Sequence, residues 1–201
     1  MRDTAEVLSK LDLSSTRSKL LAIIANYRGA EDAINHPEIA YLGFPFSISE
    51  TFQRRNTNSG IDESFETVKR INALCGTNNK RLLVYLSMGF GNPYGDEWNV
   101  EIVNQWAEKL IKDGILDIAL ADTIGIATPE QIASIYPSLC SNFPAASFGV
   151  HLHSTPDTWH EKINAAYRSG CRHFDTAIKG YGGCPRAADE LTGNIATENL
   201  I

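Results

Sequence analysis

The stretch LLAIIANYRGAED (20–32) decides the fold. An apolar, β-branched run passes directly into a polar–apolar pattern of helical period, which reads as a strand followed by a helix. A doubly wound dinucleotide-binding sheet needs a glycine-rich turn at that junction, so that backbone can approach a pyrophosphate. Here the only glycine is Gly29, and it comes late. The strand ends instead on a polar residue, Asn26.

The same arrangement recurs along the chain. Further apolar runs are IAYLGFPFS (39–47), RLLVYLSM (81–88), ILDIALADT (115–123), FGVHLHS (148–154) and HFDTAIKG (173–180). They are nearly continuous rather than alternating, as in strands buried on both faces. Helical patterns lie between them, at 61–74 with Ile61, Phe65, Val68, Ile71 and Leu74 on one face, and at 97–114 with Val100, Val103, Trp106 and Leu110 inward. Gly114 closes the second. Thr128-Pro129 opens another helix, and Pro156-Asp157 introduces one that runs to about Arg168. SETFQRRNTNSGIDES (49–64) reads as a polar loop leading into the helix at 61.

Six strand–helix units without a linker predict an α/β chain with a parallel sheet, one domain over 1–201. Polar residues collect at the C-terminal strand ends: Asn26, Ser47, Ser87, Asp122, His151 with His153, and Lys179. Chemistry at strand end after strand end marks a (β/α)8 TIM barrel. A complete barrel takes eight strands and about 250 residues, so the expectation is an incomplete one, with about six units corresponding to strands 3 to 8. Residues 1–17 read as a helix and loop, the tail of a unit whose strand lies upstream of Met1.

Composition excludes several classes. The 18 basic and 24 acidic residues give a net charge of −6, without a Lys/Arg-rich stretch to engage nucleic acid. Gln53-Arg54-Arg55 is too short for that role but could meet a small phosphorylated ligand. No run approaches the roughly 18 apolar residues of a membrane helix, and the N-terminus carries no apolar signal segment. Four cysteines without CxxC pairing suit a reducing, cytoplasmic setting. Cys75, Cys140 and Cys171 read as core residues. Cys184 stands apart in the glycine-rich stretch KGYGGCPRAADELTGN (179–194), a loop over a ligand or, as readily, a turn with a small filler.

His151 and His153 share one face if FGVHLHS is a strand, and could hold a divalent ion or be two inert polar positions. Asp122 at the end of its strand is a base, an orienter, or a cap for the following turn.

Taken together, HLH at a strand end, LADTIGIATPEQ, GYGGCP, GN-x-ATE and SETFQRRN-x-N resemble the 3-hydroxy-3-methylglutaryl-CoA lyases, from about residue 4 to 201. The resemblance implies a metal-dependent TIM barrel that cleaves 3-hydroxy-3-methylglutaryl-CoA to acetoacetate and acetyl-CoA, in leucine degradation or ketone-body formation. It implies Mg2+ or Mn2+ held by His151, His153 and Asn194, with Cys184 in proton transfer and Asp122 close to substrate. Asp122 and His151 thereby join Cys184 as catalytic candidates, and Ser87, Asn26 and Lys179 as substrate-binding ones. Residues 52–58 are a candidate grip for the CoA nucleotide. Such a cleavage removes a proton from a tertiary alcohol and returns one to an enolate carbon, work for a base, an acid and a Lewis acid.

The family's first-strand Arg-Asp pair is not carried onto Arg2 and Asp3, whose continuation TAEVLSKL reads as a helix after a later strand. The stretch between Cys184 and Asn194 is also one residue longer than the family's usual form. Little lyase activity is therefore expected of the 201-residue chain alone. The alternatives are a non-catalytic scaffold, or an aldolase or acyl-CoA condensing enzyme on the same barrel, against which GGCP argues. Open sheet edges invite cover by a further copy of the chain.

Overall fold

The computed structural model describes residues 4–183 and 192–201. Five strands, β1 (Leu20–Ile23), β2 (Ile39–Ser47), β3 (Arg81–Ser87), β4 (Asp117–Ala121) and β5 (Ser147–His151), form one parallel sheet in chain order. The order never reverses, so every crossover steps the same way and the sheet winds as a barrel wall does. Helix α2 (Tyr27–Ile34) follows β1, α3 (Glu50–Thr57) and α4 (Ile61–Thr77) follow β2, α5 (Val100–Lys112) follows β3 and α6 (Pro129–Asn142) follows β4. A short α1 (Thr4–Ser9) precedes the sheet and α7 (Trp159–Arg168) comes after it.

The sheet is closed on its helix side: Leu42, Val84, Leu86, Ile118 and Leu120 are buried there, and Val68, Ile71, Val103, Leu110, Ile132 and Leu139 pack with them from the helices. Each such side chain contributes about 1.5–3 kcal/mol by leaving water. The opposite face is less covered than the apolar runs predict, with Leu21 and Ile23 of β1 exposed. Phe46, Phe65 and Trp106 form an aromatic wedge, with Phe46 at 5.1 Å from Trp106 and 6.1 Å from Phe65 between ring centroids. Helix α6 starts on a full capping box, in which Thr128 and Gln131 each satisfy the other's backbone N–H. Gly114 leaves α5 at φ 79°, the left-handed conformation that ends a helix most easily on glycine.

Several sequence expectations change. The segment 49–64 is no loop: Ser49 accepts from the Phe52 N–H, Phe52 and Gln53 bury their side chains, and α3 results. Residues 173–180 form no regular strand, only single parallel bridges at Phe174 and Ala177. Lys179 at φ 56° and Gly180 at φ 66° turn the chain out of the extended region. FGVHLHS is interrupted at Leu152, after which β6 (His153–Ser154) pairs antiparallel with β7 (Gly193–Asn194) in a separate small sheet. Helix α7 begins at Trp159, later than Pro156 suggested. Cys75 and Cys171 are core residues, but Cys140 is exposed on α6.

Candidate metal and substrate site

His151 is the last residue of β5, and His153 opens β6, where its pairing partner across the small sheet is Asn194. The two imidazole centroids lie 5.0 Å apart with the rings nearly perpendicular. Beside them opens a cleft of about 600 Å³ at the C-terminal strand ends. Leu21, Ile23, Pro45 and Phe174 make its walls apolar, and Tyr85, Ser87, Thr123 and Asp175 add polar groups.

Each histidine has one ring nitrogen assigned. The His153 Nδ1 lies 2.7 Å from the carbonyl oxygen of Asp122. A carbonyl only accepts, so Nδ1 carries the proton and Nε2 keeps its lone pair. The His151 Nδ1 is 3.0 Å from Asp175 Oδ2, which orients that ring in the same sense. Burial holds the His153 pKa below the ordinary imidazole value, against the opposing pull of the Asp122 carbonyl. Tyr85 stands edge-on to His151 at 5.6 Å between ring centroids, with the Asp175 carboxylate nearby. Burial and the Asp175 charge push its phenol pKa well up, so it remains a hydroxyl.

Asp122 is wholly enclosed. Its Oδ1 accepts from the N–H groups of Ile126 and Ala127 at 2.8 and 3.0 Å, and its Oδ2 pairs with the Lys162 ammonium at 2.8 Å. No part of the carboxylate reaches the cleft surface, the side chain being 0% exposed. Of the three roles left open for Asp122, these contacts support the orienter and turn organiser. Lys162 donates also to the carbonyls of Gly125 and His153. Gly125 itself is at φ 76°, and a Cβ there would meet the Thr192 side chain at 2.6 Å, so the turn requires glycine. Thr123 ties the same loop to β3, accepting from the Met88 N–H at 2.8 Å.

The remaining candidates separate. Ser87 lines the cleft. Asn26 does not: its side chain accepts from the Gly29 N–H and caps α2. Lys179 lies beside a second cavity of about 550 Å³, shared with Asn194 and Trp159, and its N–H donates to Glu198. Asn194 donates from Nδ2 to the Tyr181 carbonyl at 2.9 Å, which turns its amide oxygen the other way. Cys184 lies outside the described residues. In α3, Arg54 pairs with Glu50 and Arg55 covers the Tyr94 ring.

Sequence reasoning missed Tyr85, Asp175 and Lys162. Tyr85 was findable, because it precedes Ser87 by two on one strand and so shares its face. Asp175 lies near the start of the run at 173–180, beside the single bridge at Phe174, where the strand-end rule does not point. Lys162 gives no signal, since lysine four residues into a helix ordinarily faces water.

The donor chemistry fits a divalent ion: two imidazole lone pairs and an amide oxygen on adjoining strands. Among the described residues no group of three or more His, Cys, Asp or Glu is assembled for one.

Comparison with known proteins gives the family and the fold. The chain matches the HMGL-like family over residues 3–201. It is 33% identical to the hydroxymethylglutaryl-CoA lyase YngG of Bacillus subtilis over 201 residues, all of this chain and 66% of the relative. The crystal structure of the Bacillus subtilis HMG-CoA lyase superposes with a TM-score of 0.90 at 34% identity, again covering 100% of this chain and 66% of that one. An HMG-CoA lyase from Acinetobacter baumannii, solved in complex with coenzyme A and 3-methylmalate, gives a TM-score of 0.87 at 31% identity, over 99% and 64%. The chain thus spans slightly under two thirds of the length of these relatives.

Proposed function

The chain belongs to the HMGL-like family, and from that premise we propose that it carries the metal-and-proton side of a carbon–carbon lyase site for 3-hydroxy-3-methylglutaryl-CoA. The observation that carries this reading is the histidine pair, with both Nδ1 atoms engaged behind, neither Nε2 lone pair taken up among the described residues, and Asn194 paired opposite His153. His151, His153 and the Asn194 amide oxygen would hold Mg2+ or Mn2+. When bound, such an ion supplies Lewis-acid polarisation of a substrate's hydroxyl and carbonyl oxygens.

The chain's own residues do the rest. The apolar walls of Leu21, Ile23, Pro45 and Phe174 suit an acyl group. Tyr85 offers a hydroxyl that stays protonated, and Ser87 a second polar contact. Asp175, hydrogen-bonded to His151 and close to Tyr85, orients the imidazole at the cleft edge. Cys184 is retained as the acid for the departing carbon. Asp122 acts behind His153. No described helix is long and apolar enough to cross a membrane, and the cytoplasm remains our assignment of compartment.

The test is Mn2+ binding by the purified chain, followed by electron paramagnetic resonance, alongside acetoacetate release from the acyl-CoA with Mg2+. Two imidazoles and an amide leave the ion's charge uncompensated, so slow turnover is expected and metal binding is the decisive arm. Mn2+ bound by the wild type and lost in His151→Ala/His153→Ala supports the proposal. A wild-type chain that binds no Mn2+ overturns it.

A further inference from the structure

We infer that Lys162 is a positioning residue for His153, fixing the tautomer and direction of the imidazole from behind. The inference deepens the proposed function and rests on that reading only where metal binding is the readout.

A buried ammonium is costly, several kcal/mol for each ion removed from water even after relaxation. Lys162 is 4% exposed and faces a single carboxylate, Asp122. Its three N–H donors meet three acceptors at 2.8–2.9 Å: Asp122 Oδ2, the Gly125 carbonyl and the His153 carbonyl. The acceptors belong to only two segments. Asp122 and Gly125 lie in the loop after β4, and His153 begins β6. One ammonium on α7 therefore clamps the loop to the strand.

A second bond crosses the same junction, from the His153 Nδ1–H to the Asp122 carbonyl. That bond specifies the imidazole tautomer and aims Nε2, and it depends on the two segments keeping their spacing. Lys162 enforces the spacing without touching the ring. Without the ammonium, three buried acceptors lose their donor, at about 1–3 kcal/mol each and more for the carboxylate. The loop and strand then relieve this by separating, and the 2.7 Å bond that orients the ring is lost with them.

The variant is Lys162→Met, which keeps the aliphatic stem and removes every donor. Imidazole 15N chemical shifts of His153, recorded on the full chain at pH 8 with EDTA, report the tautomer without any metal. The wild type is expected to show one tautomer, protonated at Nδ1, and Lys162→Met a mixture. Mn2+ alone is the second probe, and its affinity should fall 10- to 100-fold, as for loss of other groups that orient metal ligands. If Lys162→Met does not fold, Lys162→Met/Asp122→Asn removes the stranded carboxylate, and the same mixture is expected.

A folded, less stable variant that retains the single tautomer and wild-type Mn2+ affinity overturns the inference. Failure of both variants to fold assigns Lys162 to stability alone and equally overturns it. If the wild type binds no Mn2+ but the tautomer still shifts in the variant, the metal reading fails and the positioning role stands.

Discussion

His151 and His153 are separated by one residue, yet they rest on supports of opposite kinds. His153 is 3% exposed and leans on a backbone carbonyl within a closed network of Asp122, Lys162 and Gly125. His151 stands at the rim with 30% of its side chain exposed, held by an Asp175 carboxylate that is itself 40% exposed. The difference comes from the break at Leu152. His151 is the last residue of the main sheet, where strand ends meet the cleft. His153 opens the small sheet, beneath the loop after β4 and the first turns of α7. One nitrogen is delivered by a rigid, dry scaffold and the other by an adjustable, wet one. A site that must hold an ion firmly while substrate enters gains from that division.

The largest expected effect breaks the comparison most directly. His153→Ala removes a lone pair from the fixed side and empties the space that the Asp122 carbonyl faces. Its Mn2+ affinity should fall by more than about 100-fold, beyond the range for loss of an orienting group, and its melting temperature should drop. His151→Ala should weaken Mn2+ comparably while moving the melting temperature little, because a rim side chain buries less. Equal destabilisation in the two variants, measured by calorimetry without metal, would show that the supports do not differ.

Asp175→Asn probes the adjustable side alone. An amide can still accept from the His151 Nδ1–H, but without the charge. Metal affinity should fall about 10-fold, the lower end for such partners. Stability should change by less than about 1 kcal/mol, as exposed ion pairs contribute little. A stability loss as large as that of Lys162→Met would place Asp175 in the rigid half instead.

The legibility of the sequence divides along the same line. Strand ends could be read: β2 spans 39–47 as expected, and Ser87, His151 and Asp122 lie at or just past the ends of β3, β5 and β4, whereas the break at Leu152 that moves His153 into the small sheet could not be. Asn26 obeyed the same rule but caps the start of a helix, because an asparagine before a helix serves the orphan N–H groups nearest to it. The helix at 50–57 escaped because its residues are mostly polar, and two buried side chains with one capping serine sufficed to make it. Lys162 escaped for a different reason. Its significance lies in three acceptors contributed by residues 9 to 40 positions away along the chain, which no local pattern encodes.

The smallest expected effect is a pH dependence of stability, and it measures the dryness of the His153 side. Burial lowers the His153 pKa in the fold, whereas in the unfolded chain it returns to about 6.5. Above that pH both states are neutral at this ring and its contribution to stability is complete. As pH falls below about 6.5 the unfolded chain takes up a proton that the folded ring refuses, and stability is lost until the folded pKa is passed. Urea midpoints measured in EDTA should therefore decline from pH 7.5 to 5.5. In His153→Gln, which has no proton to bind, the decline should be shallower over the same interval. An unchanged slope in that variant would mean that water reaches His153 as freely as it reaches the rim, and the contrast between the two supports would disappear.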